Sequence, residues 1–228
     1  MRNVALFSLL VSALPLCAQA KSPVVVELYT AQGCASCGQA NAYVGKLAEK
    51  PGVLALTFSV DYWDYLGWED TFAGLRRAAE GLCGPPEPAR TLHPQVVIDG
   101  RAQVGGLQDD KIDKLVSDAA HAGKRGPDMA FIGQRRVDVG SGVLPRGGAE
   151  VWLVRYDPRE QDVAVRKGDN KGQTVPHRNV VVEIKRLGAW RGRPTAYRMP
   201  AASAEGLATA VIVQSPHGGR VLAAAQKD

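Results

Sequence analysis

The chain has 228 residues, 4 cysteines and a formal net charge of +5, a length that suits one large or two small domains. The positive charge is spread without an arginine- or lysine-rich block. Pairs such as Arg135-Arg136 and Arg166-Lys167 read as solvated strand ends, which argues against a nucleic-acid footprint.

Met1 and Arg2 open the chain, an apolar run follows from Val4 to Leu16, and Ala18-Gln19-Ala20 places small residues where a signal peptidase reads. Residues 1–20 are therefore expected to be a secretory signal peptide, too short to span a bilayer. Cys17 lies just before the cut, but Leu16 is bulky where a lipoprotein signal takes a small residue, so simple cleavage after Ala20 is expected. The product, residues 21–228, has 208 residues, a charge of +4 and the cysteines Cys34, Cys37 and Cys83. No later segment has the length or apolarity of a transmembrane helix. The expected location is the periplasm or the medium, and the expected partners are other exported proteins rather than nucleic acid.

Val24–Tyr29 is a β-branched and aromatic run, read as a buried strand. After the cysteine pair, Ala40, Tyr43, Val44, Leu47 and Ala48 recur at helical spacing, and Lys50-Pro51-Gly52 stops that helix. Val53–Val60 reads as a second strand. Thr71–Leu82 reads as a second helix, broken by Gly84-Pro85-Pro86-Glu87-Pro88. Gln95–Ile98 and Arg101–Val104 flank Asp99-Gly100, a strong hairpin signal. A last helix carries Ile112, Leu115, Val116 and Ala119, capped by Asp109 or Asp110 and closed by Gly123.

Beyond Gly126-Pro127 the texture changes to short β-rich runs: Met129–Ile132, Arg136–Val139, Val151–Tyr156, Asp162–Arg166, Val180–Lys185, Thr195–Arg198 and Ala208–Gln214. Turn signals such as Gly147-Gly148, Asp157-Pro158 and Gly168-Asp169-Asn170 separate them. That spacing predicts a smaller, mainly antiparallel β domain over residues 126–228, a sandwich or partial barrel. It would follow an α/β domain over residues 21–125.

Chemistry centres on Gly33-Cys34-Ala35-Ser36-Cys37. Structural zinc takes four nitrogen or sulfur ligands, usually as two pairs. A second Cys-x-x-Cys is missing here, and Cys83 and the histidines are scattered. A static staple gains most by closing a long loop, and a two-residue spacer removes little chain entropy. The pair instead lies between a strand and a helix, where free backbone N–H groups and the helix dipole favour a thiolate. A cysteine so placed titrates at roughly 3.5–7.5 instead of about 8.5. Cys34 is the expected nucleophile and Cys37, one turn on, the resolving thiol.

The element order resembles the thioredoxin fold. That resemblance implies a cis-proline packed against the cysteines before the hairpin, a position that Pro94 matches. A cis X-Pro bond costs only about 0.5–1 kcal/mol. It also brings His93 beside Cys34 and, with Gln95, places the peptide-binding edge there. A protonated His93 would stabilise the thiolate and make the disulfide more oxidising. A neutral one would complete a Cys34, Cys37, His93 ligand set for copper(I). Cys83 is either an inert half-buried thiol or an accessory redox thiol. In Asp61-Tyr62-Trp63-Asp64-Tyr65-Leu66-Gly67-Trp68, Tyr62 and Trp63 read as a substrate-groove wall as well as core cover. Asp61 or Asp64 is a candidate proton relay, and Gly67 permits a tight turn.

The phrases Val-Glu-Leu-Tyr-Thr-Ala-Gln-Gly-Cys-Ala-Ser-Cys (residues 26–37), Val-Asp-Tyr-Trp-Asp-Tyr-Leu-Gly-Trp (60–68) and His-Pro-Gln-Val-Val-Ile-Asp-Gly (93–100) resemble a family of exported bacterial thioredoxin-like proteins. That family is known only as domain of unknown function 1223. The resemblance continues through Arg166–Val175 and Asn179-Val180-Val181. It implies the fold and a redox pair, and no substrate. The chain departs from the family pattern at Gly38–Asn41, at His93 in place of threonine, and over residues 75–90. The function expected is that of an exported thiol–disulfide oxidoreductase acting on protein thiols or disulfides, with a redox partner protein and no cofactor. A copper-binding protein and a non-catalytic binding module are the alternatives.

Overall fold

A computed structural model describes residues 21–61, 64–73 and 94–227. The expected signal peptide, most of the expected second helix, Tyr62, Trp63, Cys83 and His93 lie outside these residues. Within them the chain is mostly β, with two helices, one mixed eight-stranded sheet and two small antiparallel sheets.

Strand β1 (Val24–Thr30) runs parallel to β2 (Val53–Ser59), in register from Val24 opposite Val53 to Thr30 opposite Ser59. A parallel pair needs a crossover, and helix α1 (Cys37–Leu47) supplies it. Both strands are buried on both faces, which is why they read as unbroken apolar runs. Val24, Val26 and Leu28 meet Ala40, Val44 and Leu47 of α1 on one side. Each fully buried side chain of this size contributes about 1.5–3 kcal/mol before entropy is counted. Gly52, at φ +77°, turns the chain from α1 into β2.

Strands β3 (Gln95–Ile98) and β4 (Ala102–Gly105) form the expected hairpin, antiparallel to each other and to β1. Its two turn residues, Asp99 and Gly100, both have positive φ (+49° and +61°), and the Arg101 N–H closes the turn on the Ile98 carbonyl at 3.0 Å. Helix α2 (Asp109–Ala122) packs Ile112 and Val116 beside α1. The expected cap is corrected here. Gln108 holds the cap position without a side-chain bond, and Asp109 and Asp110 lie in the first turn, where they complement the helix dipole. Gly123, at φ +63°, closes the helix as expected.

The second half contributes β5 (Met129–Ile132), β6 (Arg136–Val139), β7 (Ala149–Asp157), β8 (Gln161–Ala164), β9 (Thr174–His177), β10 (Val180–Trp190), β11 (Thr195–Arg198), β12 (Ala208–Gln214) and β13 (Val221–Lys227). It is β-rich, as expected. However, four of its strands extend the first half's sheet, in the order β13-β12-β7-β10-β2-β1-β3-β4. The join is β10 beside β2, where the Thr57 N–H donates to the Asn179 carbonyl at 3.0 Å. Two register shifts against β7 bend β10. On one face of this sheet Val25, Leu54, Leu56 and Phe58 share one core with Trp152, Val154, Tyr156 and Ile212. The small sheet β11-β6-β5 covers the opposite face of β7 and β12, through Val137, Val139, Tyr197, Val151, Leu153 and Val211. Hairpin β8–β9 joins neither sheet and lies against α1.

Candidate functional site

The cysteine loop leaves the buried C-terminal end of β1. Thr30 Oγ1 donates to Asn41 Oδ1 at 2.6 Å and ties the strand end to the second turn of α1. Two tight turns follow: the Cys34 N–H donates to the Ala31 carbonyl at 3.2 Å, and the Cys37 N–H to the Cys34 carbonyl at 3.1 Å. Cys37 is the first residue of α1, Cys34 lies in the turn before it, and their sulfurs form a disulfide. Both are nearly closed to solvent, at 3% and 0% exposed. No acidic residue occupies the first turn of α1, so no carboxylate there opposes a thiolate. The Ser36 hydroxyl lies 3.7 Å from Cys34 Sγ.

The loop after β2 holds this segment from one side. The Gln32 N–H donates to Asp70 Oδ2 at 2.8 Å. Gln32 Oε1 accepts from Trp68 Nε1 at 2.9 Å and from both the N–H and the hydroxyl of Thr71 at 3.1 Å. Asp70 also accepts the Phe72 N–H, and its own N–H donates to Asp64 Oδ1. Burial pushes the Asp70 carboxyl above the usual carboxylate range, while the N–H groups of Gln32 and Phe72 act the other way. Asp64 thus supports Asp70, and Gly67 makes the expected turn at φ +86°.

The other side is closed by the second half. Asn170, 1% exposed, donates through Nδ2 to the carbonyls of Gln32 (2.9 Å) and Cys34 (2.7 Å). It sits in the loop joining β8 to β9. Val175 on β9 reaches α1 so closely that a Cβ on Gly38 would lie 3.9 Å from Val175 Cγ1. His177, also 1% exposed, packs edge-on against Phe72 with ring centroids 5.3 Å apart. Its Nδ1 lies 3.0 Å from the Val175 carbonyl, which can only accept, so Nδ1 carries the proton. Burial holds this imidazole well below its ordinary value, at about 4.

Pro94 stands at the same end of the sheet. It precedes β3, whose Gln95 pairs with Tyr29 at the end of β1. The Gly106 N–H donates to the Pro94 carbonyl at 2.8 Å, and a Cβ on Gly106 would lie 2.9 Å from Pro94 Cβ and 3.1 Å from Ala40 Cβ. Pro94 therefore sits over the helix that begins at Cys37. Gln95 is half-buried and donates through Nε2 to Gln103 Oε1 at 3.2 Å. Cys34, Cys37 and Pro94 are brought to one end of the sheet. His93, with the Cys34, Cys37, His93 copper set, lies outside the described residues, as do Tyr62, Trp63 and Cys83. Among the described residues no three metal-ligating side chains cluster. Asp70, Asn170 and His177 were not singled out by their sequence context. The signals for Asn170 were its place in the turn Gly168-Asp169-Asn170 and in the phrase Arg166–Val175.

The model for DUF1223, a protein family of unknown function, matches residues 25–214. The chain belongs to this family. Among solved structures, protein AGR_C_4864 from Agrobacterium tumefaciens is 28% identical, with a TM-score of 0.69 over 92% of this chain and 95% of that one. HBP35 of Porphyromonas gingivalis is 13% identical, with a TM-score of 0.57 over 91% of this chain and 75% of that one, a likeness of fold alone. No curated protein matches.

Proposed function

We propose that this DUF1223 protein is an exported thiol–disulfide oxidoreductase whose first half is thioredoxin-like. The observation that carries the reading is a disulfide closed over two residues where β1 turns into α1, with Pro94 above the same helix. The sheet order β2-β1-β3-β4, with β1 and β2 parallel and α1 between them, supports the fold assignment. In the reduced protein the Cys34 thiolate attacks a substrate disulfide, forming a mixed disulfide and releasing one substrate thiolate. The Cys37 thiolate then attacks Cys34 Sγ, expels the second substrate thiolate and leaves the Cys34–Cys37 disulfide. Two electrons pass to the substrate, and a partner dithiol returns them. The reverse sequence oxidises a substrate dithiol.

The test has two parts. In a glutathione buffer the purified protein should equilibrate between disulfide and dithiol forms, and Cys37→Ser expressed in its native host should trap mixed disulfides through Cys34. A pair that neither exchanges with glutathione nor traps any partner would sink the redox reading. Export is checked by sequencing the mature protein, which should begin at Lys21.

A further inference from the structure

We infer that Asn170 is a positioning residue for the redox pair: its amide makes the second half of the chain part of the site and holds Cys34 in a setting that favours the thiolate. The inference rests on the redox reading above. Both protons of Asn170 Nδ2 are spent on the cysteine loop, at Gln32 O (2.9 Å) and Cys34 O (2.7 Å). The Cys34 carbonyl also receives the Cys37 N–H. Its dipole is thereby held by donors from both halves of the chain.

An apolar side chain at residue 170 would leave the Gln32 carbonyl without this donor and the Cys34 carbonyl with the Cys37 N–H alone. The carbonyl oxygens of Gln32 and Cys34 carry partial negative charge next to the sulfur that must become an anion. Two N–H groups set against them offset that charge. Without Asn170 the thiolate is less favourable, the reduced form is less stable, and the couple becomes more reducing.

Among the described residues, Asp70 bonds the Gln32 N–H, and Lys167, Asp169 and Lys171 flank Asn170 in its own loop; all four are kept in the variants below.

The experiment measures wild type, Asn170→Ala and Asn170→Asp in glutathione buffers, alongside thiolate absorbance against pH. In the reaction read, the Cys34–Cys37 bond breaks, taking two electrons and two protons from two glutathione thiols, which become one glutathione disulfide. The expected effect of Asn170→Ala is about a tenfold shift towards the protein disulfide, about 30 mV for this two-electron couple, with the Cys34 midpoint rising by about one unit. Asn170→Asp is isosteric and sets a carboxylate against both carbonyls, so it should shift further in the same direction. Folded variants whose equilibrium and midpoint coincide with wild type overturn the inference and leave the redox reading standing. A wild type that does not exchange with glutathione overturns the redox reading itself. Should neither variant fold, wild type suffices. The Asn170 side-chain amide resonances should move between oxidised and reduced protein, and unmoved resonances count against the inference.

Discussion

At the Asp99 turn the first half of the chain is tied to itself through matched groups and takes one backbone bond from the second half. The Asp99 N–H donates to the Val25 carbonyl, Oδ1 accepts the Val25 N–H, and its carbonyl accepts the Val221 N–H, all at 2.8–2.9 Å. Lys124, with a side chain 5% exposed, pairs with Asp99 at 2.8 Å and donates to the Pro23 carbonyl. At the cysteine loop the halves meet through Asn170, and His177 packs on Phe72 beside it in the loop after β2. Gln32 Nε2, Asn41 Nδ2, Asn170 Oδ1 and His177 Nε2 are buried with no hydrogen-bond partner among the described residues. Gln214 Oε1, next to Gly100, is likewise without a partner among the described residues, so the contrast lies in what ties the halves together: a backbone bond from β13 at the Asp99 turn, and a side-chain amide at the cysteine loop.

The largest expected effect lies at the matched junction. Asp99→Ala strands the Lys124 ammonium and puts alanine at φ +49°. Breaking a buried pair by removing one partner costs about 3–5 kcal/mol. Denaturant unfolding should show that loss, while the glutathione equilibrium of the folded fraction stays at the wild-type value. A shift in that equilibrium would break the comparison.

The next effect comes from His177. In the folded protein His177 binds its proton only near pH 4, whereas the unfolded chain does so near 6.5. Folded His177 thus disfavours its charged form. Its contribution is complete above about pH 6.5 and is lost as pH falls towards 4, by about 3 kcal/mol in all. Asp70, whose folded pKa is raised, acts in the opposite sense: stability falls as pH rises through its own range above 3.8. The difference between wild type and His177→Phe isolates the histidine. Unfolding curves at pH 7 and pH 4.5 should converge for the variant and diverge for wild type; equal pH dependence would refute the assignment.

A smaller effect is expected at Gly106, where a methyl group meets Pro94 and Ala40. Overpacking of this kind costs about 1–3 kcal/mol. Gly106→Ala should lower the melting temperature and also change the alkylation rate of Cys34, because Pro94 and α1 cannot both stay in place. A melting change with unaltered alkylation would separate Pro94 from the cysteine pair.

Much of the framework was legible along the chain. Val24–Tyr29, Gln95–Ile98, Met129–Ile132, Thr195–Arg198 and Ala208–Gln214 lie in strands because short runs carrying β-branched or aromatic residues between turn residues favour them. Two strands escaped notice for opposite reasons. Thr174–His177 contains Pro176, which argues against a strand unless one edge is free, as it is in the two-stranded β8–β9 hairpin. Val221–Lys227 is rich in alanine, a helix former, and becomes a strand because β12 pairs with it along its length.

The sequence by itself determined the local pieces: where strands and helices begin, the tight turn at Asp99-Gly100, and a cysteine pair spaced to close a disulfide at a helix start. Those features depend on neighbours a few residues apart, so spacing and residue type suffice. Only the tertiary structure decided that the two halves share one sheet, and that Asp70 and Asn170 meet at the cysteine loop. Asn170 lies 136 residues from Cys34, and no local pattern encodes that meeting. It follows from strand pairing and burial acting over the whole chain, because β10 joins β2 and carries the β8–β9 hairpin with it.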